Sequence, residues 1–298
     1  MRKNAIRISM GERVFDIFNA VFMVFLCFVM LYPLWHVVCA SFSDGRQLSA
    51  HMGPLFVPDG FSLNAYKLMM KNPMILKGYA NTFKILFVGI VVNMVLTSLA
   101  AYVLSRKNVM LNKPITLLVI FTMYFSGGMI PGYLNVTGFG LGNTIWAVIL
   151  PGAVSTYNMI VLRTGFASVP QSLEEAAKID GASNLRILWQ IILPLSRATL
   201  AVICLYYAVG HWNSWFNAML YFEDREKFPL QLILREILVN SGTSDMVGGG
   251  SVDVGDASFV SDTVKYAVTV VAVVPILCVY PFLQRYFAKG VMIGAVKG

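Results

Sequence analysis

Five stretches of this chain carry no Asp, Glu, Lys or Arg: 17–43, 85–105, 114–162, 198–222 and 266–284. A bilayer core takes roughly 20 apolar residues per helix, so each stretch is long enough to cross. The third has 49 residues and is interrupted by SGGMIPGYLNVTGFGLGN, whose Gly, Pro and Asn mark a reversal and divide it into two spans. The pattern predicts an all-α membrane protein of six transmembrane helices, at about 15–42, 82–104, 114–134, 143–165, 196–222 and 264–283. A cytoplasmic N-terminal tail (1–14) and C-terminal tail (284–298) flank the six-helix domain 15–283. No internal repeat is visible.

Composition agrees with the pattern. The chain has 298 residues, 57% hydrophobic and only 13% charged, where a soluble domain carries about 25% charged residues. The N-terminal MRKNAIRISMGER precedes an apolar run too long for a signal peptide and lacks a small-residue cleavage site, so it reads as the lead into a retained first helix. Lys and Arg set the orientation. The two ends, the 105–113 loop and the 163–197 segment hold 14 Lys/Arg against 5 Asp/Glu, and the opposite segments hold 9 against 10. Both termini are therefore expected in the cytoplasm, and the net charge of +8 marks topology rather than affinity for nucleic acid. Cys27, Cys39, Cys204 and Cys278 all lie in or beside apolar runs without metal-ligand spacing, and read as small structural hydrophobes.

One polar stretch stands out among the spans: SLEEAAKIDGASNLRILWQIILP, from Ser172 to Pro194, within a segment 167–194. Ser172 and Glu175 have capping-box spacing, with Pro170 fixing the entry. Gly181 suits a left-handed helix end, and Ser183 is placed to cap a second helix. On that helix Leu185, Leu188, Trp189 and Ile192 follow the spacing of one apolar face, ending at Pro194. Two such short helices do not hold together in water alone. The pattern suits a docking knob, packed on the inner ends of the spans through its second helix, or a plain surface connector.

EAAKIDGASNLRILWQIILP resembles the cytoplasmic loop of ABC-importer permeases: E-A-A, three residues, G, nine residues, I-x-L-P. Here those places are Glu175, Ala176, Ala177, Gly181, Ile191, Leu193 and Pro194, every one filled and in the slot between the fourth and fifth spans. The ending YPFLQRYFAKGVMIGAVKG and the GHWNSWFNAMLYF of the fifth span are similar to carbohydrate-importer permeases related to the maltose system. The resemblance implies a type I importer fold in a bacterial cytoplasmic membrane, paired with a second homologous permease, two cytoplasmic ATPase subunits and an extracytoplasmic solute-binding protein. It implies that the loop is the coupling helix, seated in a groove of the ATPase. Glu175, Ala176, Ala177 and Gly181 are then contact and turn positions, with Asp180 and Ala182 beside them.

The chain has no G-x-x-x-x-G-K-[ST] phosphate loop, and no Gly is followed by Lys. It is not expected to be an enzyme or to hold a cofactor; ATP and magnesium would belong to the ATPase partners. An ion-coupled carrier is the rival reading, but carriers place ionisable groups at membrane depth. Here only His36 and His211 titrate near neutral pH within the spans, and a lone membrane histidine is more often a helix contact. A non-transporting sensor or scaffold is the other rival. A sugar path needs hydrogen-bonding and ring-stacking side chains. Candidates are His211, Trp212, Asn213, Trp215, Phe216 and Asn217 on the fifth span, with Tyr124 and Ser126 on the third and Tyr157 and Asn158 on the fourth. Interfacial belts and helix contacts use the same residue types. The outer loop 223–262 includes SGTSDMVGGGSVDVGD and is either a contact for a binding protein or a tether.

Overall fold

The computed structural model describes residues 9–106, 108–239 and 263–278. Residues 240–262 of the second outer loop, the last residues of the sixth span and the tail 284–298 lie outside them. Every regular element among the described residues is helical. Among the described residues two helices are long and apolar enough to cross a membrane, α1 (Met10–Ser41) and α4 (Pro73–Ser105). The chain forms two compact units, one of residues 1–71 and 237–271 and the other of residues 72–236 and 272–298.

In the first unit, α1 starts with a capping box, the Ser9 amide donating to Glu12 Oε2 at 2.7 Å and the Glu12 amide to Ser9 Oγ at 3.2 Å. It is followed by α2 (Gly45–Ala50) and α3 (Asn64–Lys71). Only Cys39, Ala40 and Ser41 of α1 are buried. The loop 51–62 folds back on that end: Trp35 Nε1 donates to the Phe56 carbonyl at 2.9 Å and the Leu55 amide to Tyr32 Oη at 3.0 Å. His36 lies within 3.4 Å of Tyr32 Oη and edge-on to Tyr266, a helix contact of the kind expected for a lone membrane histidine.

The second unit is built around α4. Asn72 caps it through the Met74 amide at 3.0 Å and Pro73 occupies the first turn, so the Asn-Pro pair is a helix start, and the helix of the expected second span begins at 73 rather than 82. Its buried residues are Ile75, Gly78, Thr82, Ile85, Gly89, Asn93, Thr97, Ser98, Ala101, Tyr102 and Leu104. From Ile75 to Thr97 they recur every three or four positions and form one stripe, which widens over the last two turns. That stripe is small and polar through its middle, and the large apolar side chains Phe83, Phe87, Val91 and Val95 are exposed. Membrane helices pack this way because lipid is as apolar as leucine, so close backbone approach and hydrogen bonds drive their association.

Against this stripe pack α8 (Thr156–Ala167) and α12 (Arg197–Trp212). The third, fourth and fifth expected spans are broken. The third becomes α5 (Asn112–Tyr124) and α6 (Met129–Gly138), bent by 114° at Phe125–Gly128; the fourth becomes α7 (Ile145–Ile149) with a 3-10 turn to Gly152, then α8, bent by 55°. The fifth ends at Trp212, and α13 (Phe216–Tyr221) follows as a separate helix. Glycines at 127 and 128 and the missing N–H of Pro151 account for the first two breaks. A short helix, α14 (Leu230–Val239), and the apolar α15 (Thr263–Cys278) complete the described chain.

Candidate functional site

The hairpin begins with α9 (Gln171–Ile179), whose N-cap is Pro170 and makes no side-chain cap bond. The Pro170 carbonyl accepts from the Leu173 amide at 3.2 Å, which draws Ser172 inside the first turn. The expected Ser172–Glu175 capping box therefore does not form. The expected glycine end does. Gly181 has φ +78°, the Ala182 amide donates to Ala177 O at 2.9 Å and the Gly181 amide to Lys178 O at 3.0 Å. Those two bonds make a Schellman turn. Ser183 then caps α10 (Asn184–Ile187), accepting from the Arg186 amide at 3.4 Å.

The second arm runs on as a π-turn over Leu188–Ile192 and a last α-turn, α11 (Leu193–Leu195). The wider turn accommodates Pro194, which has no N–H for the ladder and whose ring crowds the preceding carbonyl in an α-helix. It also shifts the buried face. Ile187, Leu188 and Ile192 are buried in one core with Ala101, Leu104, Leu162, Phe166 and Ile203. Leu185 and Trp189, expected on that face, are exposed at 60% and 62%, because the extra residue per turn brings Ile187 in line with Ile192. Ile191, Leu193 and Pro194 are half-buried. At Ser196 the chain bends by 88° into α12.

The exposed face of α9 and its turn carries Glu175, Ala176, Asp180 and Gly181, with Ala177 and Ala182 half-buried behind them. Ile179 is 86% exposed. Glu174 goes the other way. It is 3% exposed and paired with Arg106, a pairing the sequence did not suggest. Arg106 Nη2 donates to Phe166 O at 3.0 Å, Nε to Ser105 Oγ at 3.0 Å, and the guanidinium lies 5.1 Å from the Tyr102 ring centre. Burial pushes the Arg106 guanidinium below the ordinary arginine range, and Tyr102 opposes that shift. Around it, Arg163 Nε donates to Leu104 O at 2.8 Å, and Asn112 Nδ2 to Arg106 O at 2.7 Å.

The candidate path residues are scattered through the second unit. His211 fills a notch at Gly89, where an added Cβ would come within 2.4 Å of Nε2. Trp212 is buried, donates to Ala272 O at 3.1 Å and meets the rings of Tyr79 and Phe83. Asn213 is exposed at the end of α12, and Trp215 and Asn217 are half-buried. The Arg235 guanidinium, which the sequence reading did not single out, lies 4.3 Å over the Trp215 ring. Tyr124 is 85% exposed, whereas Asn158 is buried in the first turn of α8. Tyr157 and Tyr206 rings are neighbours.

At the other end of α4, residues 223–233 are pinned rather than slack. Asn143, at φ +54°, donates through Nδ2 to Asp224 Oδ2 at 2.9 Å and accepts at Oδ1 from the Glu223 and Asp224 amides. Lys227 reaches the Asn143 carbonyl at 3.0 Å and Asp224 at 2.7 Å. Thr82 accepts from the Leu230 amide at 2.9 Å, and Leu230, Leu232 and Ile233 are buried. Hydrogen bonds from Lys227 and then Asn143, followed by the Lys227 charge, hold the Asp224 carboxyl below its ordinary range.

A small-and-polar packing stripe inside an apolar exterior, with a polar-faced hairpin anchored at one end, is the build of an integral membrane protein. Comparison with known proteins makes the class specific. The chain belongs to the family described as binding-protein-dependent transport system inner membrane component, whose model matches residues 1–293. It is 42% identical over 97% of its length to the polygalacturonan/rhamnogalacturonan transport system permease protein YtcP of Bacillus subtilis, covering all of that protein. It is 41% identical to Protein LplC of the same organism, over 96% of each chain. Among solved structures it is similar to the crystal structure of a bacterial ABC transporter involved in the import of the acidic polysaccharide alginate. There the TM-score is 0.84 and the identity 31%, over 95% of this chain and all of that one.

Proposed function

We propose that this chain is the permease subunit of an ATP-driven type I importer for a carbohydrate in a bacterial cytoplasmic membrane. It crosses six times with both termini in the cytoplasm, and the breaks within its spans are bends of single crossings. It pairs with a second homologous permease, two ATPase subunits that bind ATP and magnesium, and an extracytoplasmic solute-binding protein. The observation that carries the reading is the hairpin. A Schellman turn holds Glu175, Ala176, Asp180 and Gly181 on one exposed face while the opposite side is locked to the ends of α4 and α8. Small side chains let a helix seat in a partner's cleft, and the flanking charges fix its register.

The substrate is proposed to be an oligosaccharide containing uronic acids. The named cargo of the relatives, polygalacturonan or rhamnogalacturonan for one and the acidic polysaccharide alginate for another, supports that class. The path draws on Asn213, Trp215, Asn217 and Tyr124, with His211, Trp212 and Asn158 packed behind it and Arg235 adding a cation beside Trp215.

The experiment is co-purification from native membranes, comparing wild type with a Glu175→Lys, Gly181→Pro double variant. Proline cannot take φ +78° and removes the Gly181 amide bond to Lys178, while every span is left intact. An ATPase that accompanies wild type and is lost with the variant supports coupling through the hairpin. Equal recovery of partners, or no ATPase with either, sinks it in favour of a scaffold. Uptake that follows an ion gradient rather than ATP would instead identify a carrier.

A further inference from the structure

Glu174 is the one fully buried residue of α9. The docking residues of that helix face outward, and Ala177 makes only partial contact with the core behind it. The second arm of the hairpin is held by apolar packing of Ile187, Leu188 and Ile192; the first arm is held through one carboxylate. That carboxylate meets a guanidinium already committed to three other groups. Arg106 caps the end of α4, donates to the last turn of α8 at Phe166 O, and lies over Tyr102. Its own carbonyl accepts from Asn112 at the start of α5. One side chain thus gathers the ends of α4, α8 and α9, and its backbone adds α5.

A buried ion pair contributes little net stability over apolar residues of the same volume. What it supplies is direction. The guanidinium is planar, carries its donors in a fixed fork and stays charged on burial, and the carbonyls at a helix C-terminus favour a cation. An apolar contact here would let α9 slide; the charge pair ties it to one partner.

We infer that Arg106 and Glu174 form the joint through which displacement of α9 reaches the spans, making Arg106 a positioning residue of the transport cycle. This rests on the hairpin being the ATPase docking element. A pull on the exposed face of α9 is carried by Glu174 to Arg106, and from there to the ends of α4 and α8 together. Without the joint, α9 remains able to seat in the ATPase and follow it, but the motion is taken up by the Schellman turn and the 168–170 linker.

The test is the ratio of solute taken up to ATP hydrolysed, measured on the complete importer in proteoliposomes for wild type, Glu174→Gln and Arg106→Lys. Glu174→Gln is expected to keep its ATPase subunits on co-purification, keep hydrolysing ATP, and lose about tenfold in uptake per ATP, the size of an ordinary coupling between sites. Arg106→Lys, which keeps the charge but not the fork, is expected to fall between. A purely structural pair would lower the amount of complex and leave the ratio unchanged in what survives; that result overturns the inference. Should Glu174→Gln fail to assemble, the ratio for Arg106→Lys decides alone, with an unchanged value again overturning it. Loss of the ATPase from wild type itself would overturn the docking reading, and is seen separately as an empty co-purification.

Discussion

Asn143 shows how much one residue can organise. Its left-handed backbone, uncommon for a side chain other than glycine but tolerated by asparagine, turns both ends of its amide toward residues 223 and 224. Together with Lys227 it holds Asp224 as a carboxylate below the ordinary value of 3.8. A depressed carboxyl adds stability above its unfolded value and gives it up as pH falls through the folded one. Amide protection at Glu223 and Asp224, corrected for intrinsic exchange, is therefore expected to be flat from neutrality down to about pH 5 and to drop below about pH 4. Asn143→Ala should lower protection at both amides even at neutral pH, since it removes their acceptor. The same scale shows what a sequence hides. Gly181 and Ser183 were legible because their roles depend on near neighbours. Arg106 and Glu174 were not, because their meeting depends on how α4 and α9 are brought together. The Ser172 box failed for a local reason: Pro170 itself opens the helix, leaving Ser172 two positions too deep to cap it.

Among the elements, α4 is the one whose visible and buried faces were most easily confused. Its apolar run announced a span, but gave no sign of which side packs, since large apolar residues face outward and Gly78, Thr82, Gly89, Asn93 and Thr97 face in. A soluble helix would have shown the reverse. Along this stripe α12 contributes His211 at Gly89 and, one turn on, Tyr207 at Thr97, their oxygens 2.7 Å apart. The same phenol accepts from the Ser155 amide at 2.9 Å, where α8 begins after its break. Tyr207→Phe removes both bonds at a buried site and should destabilise the protein by about 2 kcal/mol, read as an earlier midpoint in detergent-solubilised thermal unfolding. Thr97→Val leaves the Ser155 bond intact and is expected to cost less. Helix breaks were the other illegible feature. The hydropathy of 114–162 suggested a single reversal, whereas the chain breaks at 125–128 and again near 150–155, where glycine and proline weaken helices that composition alone would continue.

For the molecule as a whole, the family assignment and the six-span reading make a joint statement about sidedness. The hairpin and the Asn143 clip cap opposite ends of α4, whose 33 residues rise about 50 Å, more than a bilayer's hydrocarbon core of roughly 30 Å. In a background with Cys27, Cys39, Cys204 and Cys278 replaced, Ile179→Cys is expected to react with an impermeant maleimide only in inside-out vesicles. Glu223→Cys should react only in right-side-out ones. The opposite pattern would reverse the topology drawn from Lys and Arg, and labelling of both from one side would show that the fifth span does not cross.

The corner between α5 and α6 bears on permeability. On the six-span reading, the 13 residues of α5 rise roughly 20 Å from the hairpin end, about two-thirds of the hydrocarbon thickness. There the chain turns by 114° with Gly127 and Gly128 exposed. Lipid tails cannot solvate the amides and carbonyls freed at such a turn, so irregular backbone at this depth is found against protein or water. Hydration at this corner would leave little of the membrane's insulating thickness intact above it. The electrical seal then falls to the dry packing nearer the hairpin, where Leu162, Phe166, Ile187 and Ile203 close on one another. A cell that runs on a proton gradient would feel a cavity in that packing first as a leak.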